Sequence, residues 1–223
     1  EKFGPRALIQ FEDFGNHNSF LFLEKYRHSY STFNDYIQGT ASVAVAGIIA
    51  AVRITKKRIS DNVFLFQGAG EASIGIANLI CEAMCEEGTS RKEALAQIYM
   101  VDSKGLIVEN RPKGGVTGPK VDFAKPMPAM DRLADAVKTV KPSVLIGAAA
   151  VPGVFTDDIL RDMAEFNERP VIFALSNPTS KAECTAEAAY TVTEGRAVFA
   201  SGSPFEKVTY KGEDFYPGQG NNS

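Results

Sequence analysis

Short apolar runs alternate with helical patterns along this sequence, and that alternation constrains the fold more than any other feature. Five runs rich in β-forming residues occur at 63–67, 98–102, 144–149, 171–175 and 197–200. Helical patterns lie between most of them, at 72–87, 131–140, 157–166 and 182–190. The strand runs lack polar alternation, as expected of strands that are covered on both faces of a sheet. The pattern predicts an α/β fold with a doubly wound, mostly parallel sheet of the Rossmann type.

Composition argues against several classes of function. The 223 residues carry a net charge of −3 and no basic block, which argues against nucleic acid as a partner. The uncharged run 36–52 is too short and too polar for a membrane span, and its small residues predict a buried helix. Three cysteines without zinc-ribbon spacing indicate a reducing compartment, with Cys81 and Cys85 interpreted as core residues. The start without methionine and the end at PGQGNNS indicate an internal piece of a longer protein.

Turn-forming or polar residues follow each predicted strand. These strand ends are at 68–70, 102–103, 150–153, 176–178 and 201–203. Because ligands of doubly wound sheets bind beyond the carboxyl ends of the strands, the sequence predicts a binding rim along this edge. The segment 110–130 is rich in glycine and proline and is predicted to be a long surface loop.

A glycine-rich turn follows the first of these strands. Gly68 permits a tight turn, and Gly70 lets the backbone approach a pyrophosphate at a helix N-terminus. Ser73 stands where the strict fingerprint has Gly or Ala, and Gly75 is expected to make the close helix–strand contact instead. This context predicts a dinucleotide site, with an ordinary glycine turn as the alternative. The residues assigned to the cofactor here are Gly68, Ala69, Gly70, Glu71, Ala72 and Gly75.

Asp102 ends the next strand, where a carboxylate accepts the ribose hydroxyls of NAD and repels the extra phosphate of NADP. Ser103 follows it and is assigned to the same site. Several nearby cations could neutralise that phosphate, although a solvated basic loop is the alternative for each one alone: Lys104, Arg111, Lys113 and Lys120. The choice between NAD and NADP stays open, with NADP slightly preferred.

Asn177 provides a carboxamide at the predicted rim. It precedes a proline, which disfavours helical backbone at this position. Ser180 and Glu183 are predicted to form a capping box that starts the following helix. Asn177 can then donate and accept hydrogen bonds, while a plain turn residue is the alternative. His17 and His28 lack a base or nucleophile arrangement and are interpreted as structural.

Two neighbouring carboxylates, Glu12 and Asp13, stand between Phe11 and Phe14. Neighbouring side chains on a regular strand point to opposite faces, so the pair converges only if the strand ends at Phe11. Adjacent carboxylates in apolar surroundings repel each other unless a cation lies between them. The alternative is a strand end with one carboxylate in solvent.

Seven motifs make the chain resemble one family over nearly its whole length, the malic enzymes of the large eukaryotic type. They are FEDFGNHN, TFNDYIQGTASVAVAG, FQGAGEASIGIA, VDSKGLI, FNERPVIFALSNPTSKAEC, FASGSPF and PGQGNN. The resemblance implies oxidative decarboxylation of L-malate to pyruvate and CO2, with NAD or NADP and a Mg²⁺ or Mn²⁺ ion. It implies a homo-tetramer, cytoplasmic or mitochondrial and not secreted. Residues 1–34 would belong to the adjoining substrate and metal domain and 35–221 to the dinucleotide domain.

The resemblance also implies roles for single residues. Glu12 and Asp13 would bind the metal ion, which stabilises the enolate formed on decarboxylation. Asp35 would orient a catalytic lysine that lies upstream of this chain, together with the general acid and a malate-binding arginine. Asn177 and Asn221 would hold the substrate. Asn177 and Asn222 would lie near the nicotinamide ribose.

Tyr36 departs from the family pattern, which is NDDIQGT where this chain has NDYIQGT. The family has its third metal ligand at this position, and a neutral phenol with a pKa of about 10 is a poor ligand for Mg²⁺. We expect severely impaired catalysis unless Asp35 substitutes. A relative that binds dinucleotide without performing chemistry is therefore the alternative. A different Rossmann dehydrogenase, for example one acting on amino acids, is disfavoured by the FED pair and the asparagine motifs.

Overall fold

The structure, a computed structural model, describes residues 3, 4 and 6–220. The strands are β1 (Ile9–Phe11), β2 (Thr32–Asn34), β3 (Phe64–Gln67), β4 (Ile98–Asp102), β5 (Gly105–Leu106), β6 (Val144–Gly147), β7 (Val171–Ala174), β8 (Val198–Ser201), β9 (Val208–Tyr210), β10 (Glu213–Phe215) and β11 (Gly218–Gln219). The α-helices are α1 (Asn16–Tyr26), α2 (Thr40–Thr55), α3 (Glu71–Glu86), α4 (Arg91–Ala96), α5 (Leu133–Val140), α6 (Asp157–Phe166) and α7 (Ala186–Val192).

A seven-stranded sheet forms the centre of the fold, in the order β11-β8-β7-β6-β3-β4-β5. Its neighbours pair in parallel except β4 with β5. Both β4 and β6 flank β3, so the chain leaves β3 towards one side and later returns to the other. Ligands of such sheets bind where the strand order reverses in this way. The predicted doubly wound, mostly parallel sheet is confirmed.

Both faces of the sheet are packed against apolar side chains. Phe64 and Phe66 belong to one core cluster and Leu65 to the other, because successive strand residues point to opposite faces. Helices α2, α3 and α4 contribute to the first cluster, and α5, α6 and α7 contribute to the second. This double coverage explains why the strand sequences show no polar alternation.

Helix α2 is a core helix, as its small residues predict. The helical run Asp35–Thr55 is long and apolar enough to cross a membrane by length and composition, and half of it is buried inside the fold. Ala44 and Ile48 are buried against the neighbouring elements, and a Cβ on Gly47 would lie 3.1 Å from the Phe173 ring. Cys81 is likewise buried in the core, and the cysteines are free thiols.

The segment 110–130 is more ordered than the predicted surface loop. It contains a 3-10 helix, Gly118–Phe123, whose last side chain is fully buried. Val108 and Lys125 form a parallel β-bridge, and Lys125 Nζ donates to the backbone oxygen of Leu95. Burial of Phe123 therefore anchors a segment that glycine and proline content alone marked as loop.

The predicted capping box of Ser180 and Glu183 is wrong. Helix α7 starts only at Ala186, and its N-cap is Thr185, whose hydroxyl accepts from the Ala188 amide at 3.1 Å. Glu183 turns inward instead and is fully buried.

The first residues form a small unit beside the main sheet. Strands β1 and β2 pair in parallel as a separate two-stranded sheet, and α1 connects them. A π-helical turn, Asp35–Gly39, then leads directly into α2. The domain boundary between residues 34 and 35 stays a prediction.

Candidate functional site

A cavity of about 540 Å³ opens where the strand order reverses. Segments that follow four neighbouring strands, β3, β4, β6 and β7, line it together with the turn before α2. The predicted site residues among its lining are Gly68, Ala69, Gly70, Ala72, Asp102, Ser103 and Asn177. Four of the five predicted strand ends therefore contribute to one concave surface, and the turn 201–203 after β8 is not part of its lining.

The turn after β3 forms a backbone cradle. Gly68 has φ +117°, and a Cβ there would lie 3.0 Å from the carbonyl oxygen of Ala148. Gly70 is the N-cap of α3, and no side chain caps the helix. The first backbone N–H groups of a helix have no intrahelical acceptor, so they can receive a pyrophosphate. The residues at this turn therefore fit a dinucleotide.

Glu71 and Gly75 do not line the cavity. A Cβ on Gly75 would lie 2.1 Å from the carbonyl oxygen of Ile37, so its close contact is with the turn before α2 and not with a strand. The predicted partner of Gly75 is therefore wrong. Burial raises the pKa of Glu71, and a hydrogen bond with Ser19 partly offsets the shift.

Asp102 is held between two cationic side chains. Arg111 Nη1 lies 2.7 Å from its Oδ1, and Lys120 Nζ lies 3.1 Å from its Oδ2. The backbone N–H of Lys104 donates to Oδ1 at 2.8 Å. Burial opposes ionisation, but these three hydrogen bonds outweigh it and lower the pKa of Asp102. The carboxylate is thus ionised with its charge compensated, while Lys113 pairs with Asp131 instead.

The opposite wall of the cavity comes from the segments after β6 and β7. Residues 148–151 and 175–177 line it. Asn177 is exposed there, and its peptide bond to Pro178 is cis. Asn221 and Asn222 lie outside the described residues, so their assignments stay predictions.

The two carboxylates near the N-terminus have different partners, and only that of Asp13 is Tyr36. Strand β1 ends at Phe11, and Asp13 adopts φ +57°. The Tyr36 hydroxyl donates to Asp13 Oδ1 at 3.0 Å, whereas Glu12 accepts from Gln10 Nε2 at 3.1 Å. The hydrogen bond to Asp13 raises the pKa of Tyr36, and burial adds to the shift.

Asp35 is 1% exposed, and its Oδ1 has no hydrogen-bond partner among the described residues. Burying a carboxylate oxygen without a hydrogen-bond partner is energetically costly, so we expect a donor for this atom from outside the described residues.

The described residues do not complete a site for Mg²⁺ or Mn²⁺. Glu12 and Asp13 are exposed, and the third family position holds a phenol that donates to one of them. In the part of the chain that the structure describes, no group of three or more His, Cys, Asp or Glu side chains could hold a metal ion. The assignment of Glu12 and Asp13 as metal ligands stays a prediction.

Sequence reasoning missed three features of the site. Tyr36 and Thr40 line the dinucleotide cavity itself, because the turn before α2 reaches its edge. His17 lines a side pocket of about 230 Å³ together with Lys120. Glu183 lies buried behind the cavity rim. Its position six residues after Asn177 is the feature of the sequence that could have indicated a place near the cavity.

The chain matches the family model described as "Malic enzyme, NAD binding domain" over residues 37–223. It is 63% identical over 223 residues to the NADP-dependent malic enzyme of Anas platyrhynchos, and 60% identical over 224 residues to the mitochondrial NADP-dependent malic enzyme of Homo sapiens. Both alignments cover the whole of this chain. They cover only 40% of the Anas platyrhynchos protein and 37% of the Homo sapiens protein.

Solved structures agree with this likeness. The NAD-dependent malic enzyme of Thermotoga maritima superposes with a TM-score of 0.72 at 25% identity, over 96% of this chain and 50% of that one. The Entamoeba histolytica malic enzyme gives 0.69 at 27% identity, over 96% and 40%. The chain therefore belongs to the malic enzyme family and contains its dinucleotide-binding domain.

Proposed function

We propose that the protein to which this chain belongs oxidises and decarboxylates L-malate to pyruvate and CO2 with NADP. The observation that carries the proposal is the cavity at the strand reversal, in which the charge of the Asp102 carboxylate is already compensated by Arg111 and Lys120. The names of the relatives at 60–63% identity support it. The chain spans about 40% of the length of these relatives, so the activity of the whole protein is proposed from their names.

Each wall of the cavity has a separate task in this proposal. NADP held in this cavity would supply the hydride acceptor for the oxidation of malate. Gly68 and the first turn of α3 bind the pyrophosphate through backbone N–H groups. Lys120 lines the cavity and would attract the 2′-phosphate, while the buried Arg111 offsets the charge of Asp102, which alone would repel that phosphate. Asn177 lies on the opposite wall, where its carboxamide can hold the nicotinamide ribose or the substrate.

Asp35 is the contribution of this chain to proton transfer. Hydride departure from a secondary alcohol requires that the hydroxyl proton be taken by a base. The unpartnered Oδ1 of Asp35 supports the role that the family resemblance implies, which is to orient a lysine from the preceding part of the protein. Asn221 and Asn222 are proposed to complete the substrate and cofactor contacts.

A second candidate function is favoured by the contact between Tyr36 and Asp13. Mg²⁺ and Mn²⁺ prefer carboxylate oxygens. The phenol of Tyr36 stands where the family has an aspartate, and it also donates a hydrogen bond to the Asp13 carboxylate. The second candidate is a relative that binds dinucleotide without turning over malate. Glu12 and Asp13 are the proposed ligands for a metal ion in either case.

The decisive measurement is malate-dependent NADPH formation by the full-length protein as a function of Mn²⁺ concentration. The wild type is compared with Tyr36→Asp and, as the matched control, with Tyr36→Phe, which removes only the hydroxyl. We expect Tyr36→Asp to lower the Mn²⁺ concentration for half-maximal rate by at least about tenfold, because it restores a charged oxygen ligand. Tyr36→Phe should not reproduce this gain.

The outcomes separate the two candidates. Slow, Mn²⁺-dependent turnover by the wild type supports the malic enzyme proposal. Turnover by Tyr36→Asp alone supports the non-catalytic relative. Equal rates and equal Mn²⁺ requirements for wild type and Tyr36→Asp would show that position 36 does not limit metal binding.

Compartment and assembly follow the same resemblance. We propose a location in the cytoplasm or the mitochondrion, since relatives include proteins named as mitochondrial. A homo-tetramer is proposed from the resemblance alone, and sedimentation of the full-length protein would test it.

A further inference from the structure

A buried carboxylate lies directly behind the cavity wall formed after β6 and β7. Glu183 is fully buried, and a Cβ on Gly147 would come within 2.4 Å of its Cγ and Cδ. The last residue of β6 is therefore a glycine because Glu183 fills the space beside it. Burial of a carboxylate is costly unless hydrogen bonds compensate it, so this residue needs an explanation.

The hydrogen bonds of Glu183 tie the two wall segments together. The Ser176 hydroxyl donates to Glu183 Oε1, and the Ser176 backbone N–H donates to Oε2 at 3.3 Å. The Ala150 backbone N–H donates in turn to Ser176 Oγ at 2.8 Å. Burial raises the pKa of Glu183, and these hydrogen bonds, with one from the Ala149 amide, oppose the shift.

The backbone of the same segment also holds the β6 loop. The Phe155 N–H donates to the carbonyl oxygen of Glu183 at 3.0 Å, and the Gly153 N–H donates to that of Ala182 at 3.1 Å. The loop after β6 and the turn after β7 are thus fixed relative to each other through one residue. Asn177 follows Ser176 directly and lines the cavity, so its position depends on these contacts.

We propose that Glu183 is a positioning residue that sets the wall of the cavity receiving the nicotinamide half of the dinucleotide. Asp102 marks the adenosine side, because the acid after the second strand of such a sheet faces the adenosine ribose. The opposite wall, 148–151 and 175–177, must then receive the nicotinamide side. This inference rests on the proposed dinucleotide binding.

Glu183→Gln in the full-length protein tests the proposal. Glutamine keeps the shape but has one acceptor oxygen, so one of the two Ser176 donors loses its acceptor. We expect the Kd of NADPH to rise about tenfold, while the Kd of 2′,5′-ADP, which lacks the nicotinamide half, stays within about twofold. Glu187→Gln, an exposed change four residues away, should alter neither value.

Amide hydrogen exchange gives a readout that needs no dinucleotide. Exchange in 148–151 and 175–177 should accelerate in Glu183→Gln, with other segments unchanged. If Glu183→Gln does not fold, Ser176→Ala is the second variant, because it removes the hydroxyl that links Glu183 to Ala150. It should likewise raise the Kd of NADPH about tenfold and leave the Kd of 2′,5′-ADP within about twofold.

Equal weakening of NADPH and 2′,5′-ADP, or no change in either, would overturn the positioning role. Failure of the wild type to bind NADPH would overturn the proposed function. In that case the exchange rates still decide the matter, since unchanged rates in both wall segments would reject the coupling through Glu183.

Discussion

The ion pair between Arg111 and Asp102 offers a sharp test of the electrostatics at the cavity wall that follows β4. The two side chains are 3% and 10% exposed, and their charged atoms are 2.7 Å apart. At an effective dielectric constant of about 20, two unit charges at that distance attract by about 6 kcal/mol. Desolvation offsets several kcal/mol of this, and removal of one partner of a buried pair typically costs about 3–5 kcal/mol.

Arg111→Ala should lower stability by about 3 kcal/mol, at the low end of that range, because Lys120 still contacts Asp102. For a domain of this size the midpoint of thermal unfolding should fall by about 6–12 °C. Scanning calorimetry of the full-length protein measures this. The matched control is Arg161→Ala, which breaks an exposed pair with Asp158 and should cost less than about 1 kcal/mol.

Adding Asp102→Asn to Arg111→Ala should recover part of the lost stability, because it removes the uncompensated charge. The reasoning is refuted if Arg111→Ala and Arg161→Ala shift the unfolding midpoint by the same small amount. It is also refuted if the double variant is less stable than Arg111→Ala.

Two further predictions concern lysines. Lys120→Gln should raise the Kd of NADP about tenfold and leave that of NAD nearly unchanged, as measured by titration calorimetry, because only NADP carries the 2′-phosphate; equal weakening of both cofactors would contradict the assignment. Burial lowers the pKa of Lys125 to about 8, so between pH 8 and about 10.5 the unfolded chain holds a proton that the folded chain has lost. The free energy of unfolding should therefore rise by up to about 3 kcal/mol as the pH increases from 8 to about 10.5. The same increment should be lost when the pH is lowered back to 8. The unfolding midpoint of Lys125→Met, measured against pH, should lack this rise; a rise of the same size in both proteins would assign it to other groups.

The fold could be predicted because its determinants are local and repeated. The five β-forming runs and the glycines after the first of them predict most of the fold. The strands lack polar alternation because apolar side chains cover both faces of the observed sheet. The cavity could be predicted for a related reason, since the carboxyl ends of parallel strands meet at one edge.

The errors arose where a side chain or a glycine has a different partner in the fold from the one that the local sequence pattern indicates. Ser180 and Glu183 have the spacing of a capping box, but Glu183 gains Ser176 as a partner inside the fold, so the helix begins at Ala186. The helical residue Gly75 is predicted to contact a strand and instead faces Ile37, which precedes it by 38 residues. No local sequence pattern specifies either contact, because the packing of the folded chain selects the partner.

The contact between Gly75 and Ile37 has a consequence for how the site tolerates change. It joins the helix that carries the phosphate cradle to the turn that carries Asp35 and Tyr36, backbone against backbone. No side chain intervenes, so the backbone spacing between cradle and turn does not depend on the side chain at position 36, which itself lines the cavity. A substitution at position 36 can therefore change the hydrogen bond to Asp13 while the backbone of the glycine-rich turn keeps its position, so this junction lets the two regions vary separately.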